Sequence, residues 1–370
     1  MIPKITFLYT NVGRGHPFYL DGIRAELQAH SQGKFDCQVT DVFAESRGTA
    51  LSAWKVARWL YHQGSSGGVI GSVYDKLRSG QSYNRPSTSL SIMSRDLRAS
   101  AQIMDRPVVV AHPSLVGALK GHQDIYYQHG EAVVPDEAVV RDAGVVFVPT
   151  EDAASLFLGA GYAPDQVIVS GLCIERSLLP IATQAFGHRR DRLRSGGPLT
   201  GLFISSGAEP KQHLATIQHC VQSLDQPQDC AVIVAKAGGR LERLVSRSGA
   251  ELFTYDSRAE LEALTTELFP RLDYIVSPAH ERTNWALGLG LPIFVLTPTV
   301  GPFAALNLKL IESQGVGVRL PEGVRQGSFR RFIAETRNSG HLLSMSERGW
   351  GYYPINGFQT IANSLIDRLI

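Results

Sequence analysis

The sequence lacks most of the signatures that name a function outright. Its four cysteines, Cys37, Cys173, Cys220 and Cys230, are scattered and form no Cys-x-x-Cys pair. That speaks against structural zinc and for the thiols of a reducing compartment. No apolar run of about 18 residues occurs, so no spanning helix is expected. No leader precedes Met1-Ile2-Pro3-Lys4, and the expected location is the cytoplasm. Charge of one sign is scarce as well: a formal net of +2 over 370 residues gives no reason to expect nucleic acid as a partner. His112-Pro113-Ser114 does not resemble the nucleophile elbow of an α/β-hydrolase. Gly13 and Gly15 stand without the third glycine and downstream acid of a dinucleotide-binding turn, which argues against a nicotinamide enzyme.

What is present is a globular composition, 44% hydrophobic and 19% charged, in a chain long enough for two ordinary domains. Ile5-Thr6-Phe7-Leu8-Tyr9 reads as a buried β-strand. Asn11-Val12-Gly13-Arg14-Gly15-His16-Pro17 reads as the turn that ends it. Pro17 suits a first helical position, and Leu20, Ile23 and Leu27 fall on one helix face. The helix N-terminus offers N–H groups and a positive dipole end to an anion. His16 sits at that junction, either as a reactive group or as a cap.

The same alternation continues. Strands are expected at 36–42, 107–111, 125–128, 145–149 and 167–171, then at 199–205, 231–235, 251–255, 274–276, 292–296 and 316–318, with helices between them. Such βαβ units build parallel sheets covered on both faces. Polar residues cluster after the strand ends: His16, His112, His129 and Glu131, at the edge where open parallel sheets bind ligands. A helix containing Trp54, Arg58 and Trp59 suits contact with an anionic membrane surface, with a core helix as the competing reading. Charged and glycine-rich residues 184–198 read as a linker. The expected organisation is residues 1–183 as one Rossmann-like domain and 199–345 as a second. Residues 346–370 form a crossing segment and helix.

With these landmarks in place, the chain resembles the GT-B glycosyltransferases, in particular the monogalactosyldiacylglycerol synthase and processive diacylglycerol glucosyltransferase branch. Four segments carry the likeness: Gly13-Arg14-Gly15-His16; Val146 to Glu151 running through Gly159-Ala160-Gly161-Tyr162 to Val167–Gly171; Phe203-Ile204-Ser205-Ser206-Gly207; and Gly288–Ile293 with Asn307 and Gly315-Val316-Gly317. The resemblance implies an α/β fold of two doubly wound, Rossmann-like domains facing a cleft. It implies transfer of a sugar from a nucleotide-sugar, most simply a UDP-sugar, to a lipid or other hydrophobic acceptor, with no cofactor and no metal. The absence of any Asp-x-Asp agrees with that. His16 matches the position of the base, with Gly13, Gly15, His112, His129 and Glu131 on the acceptor side. Ser205, Ser206, Gly207, Lys211, His280, Glu281, Thr283, Asn284 and Asn307 fall on the donor side. The chain departs from the family before Gly290-Leu291-Pro292, where Trp285 occupies the place of a ribose-binding acid and Glu281 is the nearest substitute. Two other readings follow: a non-catalytic nucleotide- or ligand-binding protein of the same fold, and a nucleotide-sugar epimerase.

Overall fold

A computed structural model describes residues 2–10, 15–31, 33–65, 83–85, 87–224, 229–321 and 328–370. The chain forms two compact units. One comprises residues 1–173 and 356–370, the other residues 174–355.

The first unit is built on six parallel strands: β1 (Lys4–Tyr9), β2 (Asp36–Asp41), β3 (Val108–Val110), β4 (Ile125–Gln128), β5 (Val145–Val148) and β6 (Val167–Val169), in the order β2-β1-β3-β4-β5-β6. The inner strands are continuous apolar runs. Val108 to Val110 and Val145 to Val148 are buried throughout, as expected where helices cover both faces of a sheet. β2 at the edge is more polar and leaves Val39 51% exposed. The helix Gly15–His30 lays Phe18, Ile23 and Leu27 into the core, against Phe358, Ile361, Ala362 and Leu365 of the helix Gly357–Leu369. Phe18 and Phe358 meet edge-on at 5.3 Å. Gly22 makes the approach possible, since a Cβ there would lie 2.4 Å from the Phe358 ring. The chain leaves this unit at Cys173 and returns beside it at Asn356, the two residues pairing in an antiparallel bridge.

The second unit repeats the construction with β7 (Leu199–Phe203), β8 (Asp229–Lys236), β9 (Glu251–Tyr255), β10 (Tyr274–Ser277), β11 (Ile293–Val295) and β12 (Gly317–Arg319). All are parallel, in the order β12-β11-β10-β7-β8-β9. Its core joins Phe203, Ile217, Ile233, Tyr274, Phe294, Phe329 and Ile333. In both sheets the strand order reverses once, between β1 and β3 and between β7 and β10. At a reversal the crossover helices leave on opposite faces, so the strand ends there stay uncovered.

Three expectations change. Residues 184–198 are not a linker: most of them belong to the helix Ala182–Ser195, inside the second unit. Its charge is used internally. Arg189 is fully buried, donating from Nε to the Leu272 carbonyl (2.8 Å) and from Nη1 to those of Leu289 (2.9 Å) and Gly290 (3.0 Å). Residues 346–370 do not act together either. They divide at 355/356, and the final helix completes the first unit because its apolar face matches that of Gly15–His30.

Trp54 is the third correction. Within the helix Gly48–Ser65 it is 1% exposed, and its Nε1–H donates to the Met93 carbonyl at 3.1 Å. A tryptophan whose N–H is satisfied inside the unit cannot face lipid. Arg58 lies over the Phe43 ring at 4.4 Å, while Trp59 stays 55% exposed. Among the described residues no helix is long and apolar enough to cross a membrane.

Replacing Arg189 by Met should take the side-chain donor from the buried Leu289 carbonyl, while those of Leu272 and Gly290 keep Arg192 and the Ser346 hydroxyl, and cost about 1–3 kcal/mol of stability. Urea unfolding is the measurement, with a lowered midpoint at unchanged slope as the expected result.

Candidate functional site

At the β1/β3 reversal the first unit presents two histidines. His16 is the second residue of the helix Gly15–His30, which begins at the C-terminal side of β1. Its Nδ1 lies 2.7 Å from the Ala111 carbonyl oxygen. A carbonyl can only accept, so Nδ1 carries the hydrogen and the neutral ring holds its lone pair on Nε2. His112 follows β3 and caps the helix Pro113–Ala118, its Nδ1 accepting from the Ser114 backbone N–H at 3.1 Å, with the Ser114 hydroxyl at 2.7 Å. Its hydrogen therefore sits on Nε2. The two rings meet at 4.3 Å with an interplanar angle of 63°. The structure thus brings His16 and His112 together, in opposite tautomers. Gly13 lies outside the described residues, and Gly15 opens the helix.

His129 and Glu131 follow β4, and the structure gives them a different character. His129 is 2% exposed, with Nε2 at 2.9 Å from the Val133 carbonyl and Nδ1 at 3.3 Å from the Tyr127 hydroxyl. Burial pushes its pKa down to about 4, although hydrogen bonds to the backbone of Val133 and Glu131 oppose the shift. It is a neutral brace for the turn 129–133. Glu131 is half-buried in that turn, and the adjoining Gly130 is held close against Tyr19, where a Cβ would lie 2.2 Å from the ring.

The second reversal, between β7 and β10, assembles the donor-side candidates. Ser205, Ser206, Gly207 and Ala208 form the turn after β7, closed by the Glu209 N–H donating to the Ser206 carbonyl at 3.0 Å. The helix Lys211–Ser223 follows, with no side-chain cap on its first N–H groups. Its positive end favours an anion. Among the described residues the buried Ser205 hydroxyl finds no hydrogen-bond partner. Lys211 is exposed at the first position of the helix.

Two positions on, His213 was not legible from sequence. It is fully buried and donates from Nε2 to the Pro298 carbonyl at 2.8 Å, beyond β11, while its Nδ1 is buried without a partner among the described residues. Burial lowers its pKa, the bond to Pro298 works against that, and His280 adds to it.

After β10 come Pro278, Ala279, His280 and Glu281, then the short helix Thr283–Gly288. His280 and Glu281 are half-buried. Burial works against ionisation of Glu281, but Arg282 first, then His280, its own backbone N–H and Arg258, outweigh it and hold the carboxyl below the usual range. Thr283, Asn284 and Asn307 lie beneath the turn, each at most 1% exposed. Asn307 donates from Nδ2 to the Ala279 carbonyl at 3.0 Å and so fixes the turn from below.

Trp285, which takes the place of an expected acid, is core. It is 1% exposed, packs edge-on against Phe269 at 5.3 Å, and lies under the Arg282 guanidinium at 4.0 Å. Its Nε1–H donates to Glu175 at 2.9 Å, and Glu175 also pairs with Arg282. The carboxylate of this neighbourhood therefore comes from Glu175, 110 positions upstream of the tryptophan. Among the described residues no group of three or more His, Cys, Asp or Glu side chains is arranged to hold a metal ion.

No protein-family model and no curated protein sequence matches the chain. Solved structures match it in fold. CalG4, the calicheamicin glycosyltransferase, aligns with a TM-score of 0.59 at 13% identity, over 100% of this chain and 97% of that one. MurG of Acinetobacter baumannii gives 0.57 at 13%, over 99% and 100%. The fold is GT-B. The UDP-GlcNAc 2-epimerase of Neisseria meningitidis, in its structure bound to UDP-GlcNAc, gives 0.58 at 12%, over 99% of each chain. At such identity the GT-B likeness extends to the backbone and no further. The membership of the diacylglycerol-glycosylating branch expected from sequence finds no counterpart among these structures.

The buried histidine carries a pH prediction. A pKa lowered from 6.5 to about 4 means that only the unfolded chain takes up the His129 proton between those values. Stability present above pH 6.5 should fall as pH drops through this window, by about 3 kcal/mol in all. His129→Gln should flatten that slope, read by chemical unfolding at pH 7, 5.5 and 4.5.

Proposed function

We propose that the chain is a GT-B glycosyltransferase that moves a sugar from a nucleoside-diphosphate donor, UDP-linked, to the hydroxyl of a lipid or other hydrophobic acceptor. The observation that carries this reading is the His16 tautomer. Its Nδ1–H is committed to the Ala111 carbonyl, so Nε2 is the nitrogen that takes the acceptor proton. As the proton moves to Nε2, the acceptor oxygen forms its bond to the anomeric carbon. The bond from that carbon to the diphosphate breaks, and its electron pair leaves on the phosphate oxygen. The developing charge falls to the Ser205–Ala208 turn and the first N–H groups of the helix Lys211–Ser223, with no metal in the step. Glu281, held ionised by Arg282 and His280, accepts the ribose hydroxyls in place of the acid that Trp285 displaces. The uridine assignment leans on the epimerase neighbour whose structure holds UDP-GlcNAc.

The same neighbour favours a second reading, epimerisation of the donor sugar. Incubation with UDP-GlcNAc alone separates the two: an epimer without any acceptor supports the second and sinks the first. The burial of Trp285 favours a third, ligand binding without turnover, which release of UDP in the presence of acceptor would exclude.

His16→Ala should lower turnover by about 10²–10⁴-fold, with the calorimetric affinity for UDP unchanged. Normal turnover in that variant would remove the proposed base.

The lipid acceptor is supported by an exposed apolar face on the helix Gly48–Ser65, where Val56 is 54% and Trp59 55% exposed, with Lys55 beside them. This pattern suits the headgroup layer of an anionic membrane. Trp59→Ser should reduce co-sedimentation with phosphatidylglycerol vesicles several-fold without lowering the thermal midpoint. Equal sedimentation would refute membrane contact through this face.

A further inference from the structure

One residue of the second unit departs from ordinary backbone geometry. Glu209 has φ of +46°, the one positive value among the described non-glycine residues. L side chains avoid this region, and a residue is held there only where its surroundings over-determine it. Here the surroundings are specific. The Glu209 carboxylate reaches the loop after β8, accepting from the backbone N–H of Arg240 at 2.8 Å through Oε2 and of Leu241 at 3.4 Å through Oε1. Arg240 replies in the other direction, its Nη2 donating to the Ala208 carbonyl at 2.6 Å. Gly239 is shaped to this contact, since a Cβ there would stand 2.9 Å from Oε1 of Glu209 and 2.7 Å from the Lys236 carbonyl.

The two loops that follow neighbouring strands therefore interlock, each sending one side chain to the other's backbone. A cap for the helix Arg240–Val245 needs only a local serine or aspartate at its start. Instead it comes from 31 positions upstream, through a strained residue. The beneficiary is the turn before Glu209. The Ser206–Glu209 hydrogen bond closes that turn, the Ala208 carbonyl is gripped by Arg240, and among the described residues the Ser205 hydroxyl finds no bond to hold it.

We infer that Glu209 and Arg240 form a latch that positions the Ser205–Ala208 backbone to receive the donor diphosphate. This rests on the donor reading above. Glu209 is a positioning residue: its backbone N–H closes the turn, and its negative charge is taken up by Arg240 and the N–H groups of Arg240 and Leu241.

Glu209→Gly tests the latch, because glycine adopts the same φ without strain and the fold is not put at risk. The expected signature is a thermal midpoint within a few degrees of the wild type, together with at least a tenfold loss of calorimetric affinity for UDP. Amide hydrogen exchange at Gly207 and Ala208 should be at least tenfold faster. Glu209→Gln, which keeps an acceptor oxygen, should recover part of the affinity. A Glu209→Gly protein that binds UDP as tightly as the wild type, or whose amides at 207 and 208 exchange no faster, overturns the latch. A wild type that fails to bind UDP overturns the donor reading and, with it, the diphosphate role.

Discussion

Each unit of this protein depends on a single reversal of strand order. In a parallel sheet the crossovers that follow one another on the same side cover successive strand ends. Where the order turns back, two neighbouring strands end in the open. β1 and β3 end beside each other in this way, and so do β7 and β10. Everything assigned a chemical role lies at one of these places: the His16–His112 pair at the first, the Ser205–Ala208 turn with His280 and Glu281 at the second. The rest of each sheet is continuous apolar strand, buried on both faces, and gives these ends a rigid base.

The two places differ in what holds them. At the first, His112 bonds to the start of its own helix, while His16 reaches the Ala111 carbonyl at the end of β3, 95 positions on. At the second, the contacts run over 28 to 110 positions. His213 reaches Pro298, Asn307 reaches Ala279, and Glu175 reaches both Arg282 and Trp285. The buried Glu175–Arg282 pair carries a desolvation cost that only excellent geometry offsets. The stacked tryptophan and its indole N–H supply that geometry by satisfying the second carboxylate oxygen. A buried triad of this kind specifies one arrangement of the segment 282–285, and with it the direction in which His280 and Glu281 leave β10.

The range of each contact decides what could be read in the amino-acid sequence. Strands such as Val145–Val148 and helices such as Gly15–His30 announce themselves by local pattern, and the βα alternation then dictates two parallel sheets. The places of His16 and the Ser205 turn at strand ends follow from the same local pattern, whereas the bond from His16 to Ala111 spans 95 positions and does not. Trp54 and Trp59 show where local pattern stops informing. They lie five positions apart on one helix, and composition cannot tell which faces inward until the carbonyl of Met93, from another helix, takes up the indole N–H. The charged stretch 184–198 was misleading because arginine usually marks solvent. Arg189 has instead three backbone carbonyls brought to it by residues 272–290. Partners separated by 85 to 110 positions leave no trace in local spacing, which is why His213 and Glu175 emerged only from the fold.

The pairing of the final helix with Gly15–His30 also sets an order of events during synthesis. The second unit is a single uninterrupted stretch, residues 174–355, and all of its strands have left the ribosome before residue 356 appears. The first unit begins earlier but cannot finish: the groove beside Gly22 waits for Phe358, Ile361 and Leu365. At about 5–20 residues per second, the earlier half of the molecule stays open for tens of seconds after its own last strand is made. The unit that starts first is the one that closes last, and its unfilled apolar groove is the surface a nascent-chain chaperone would meet.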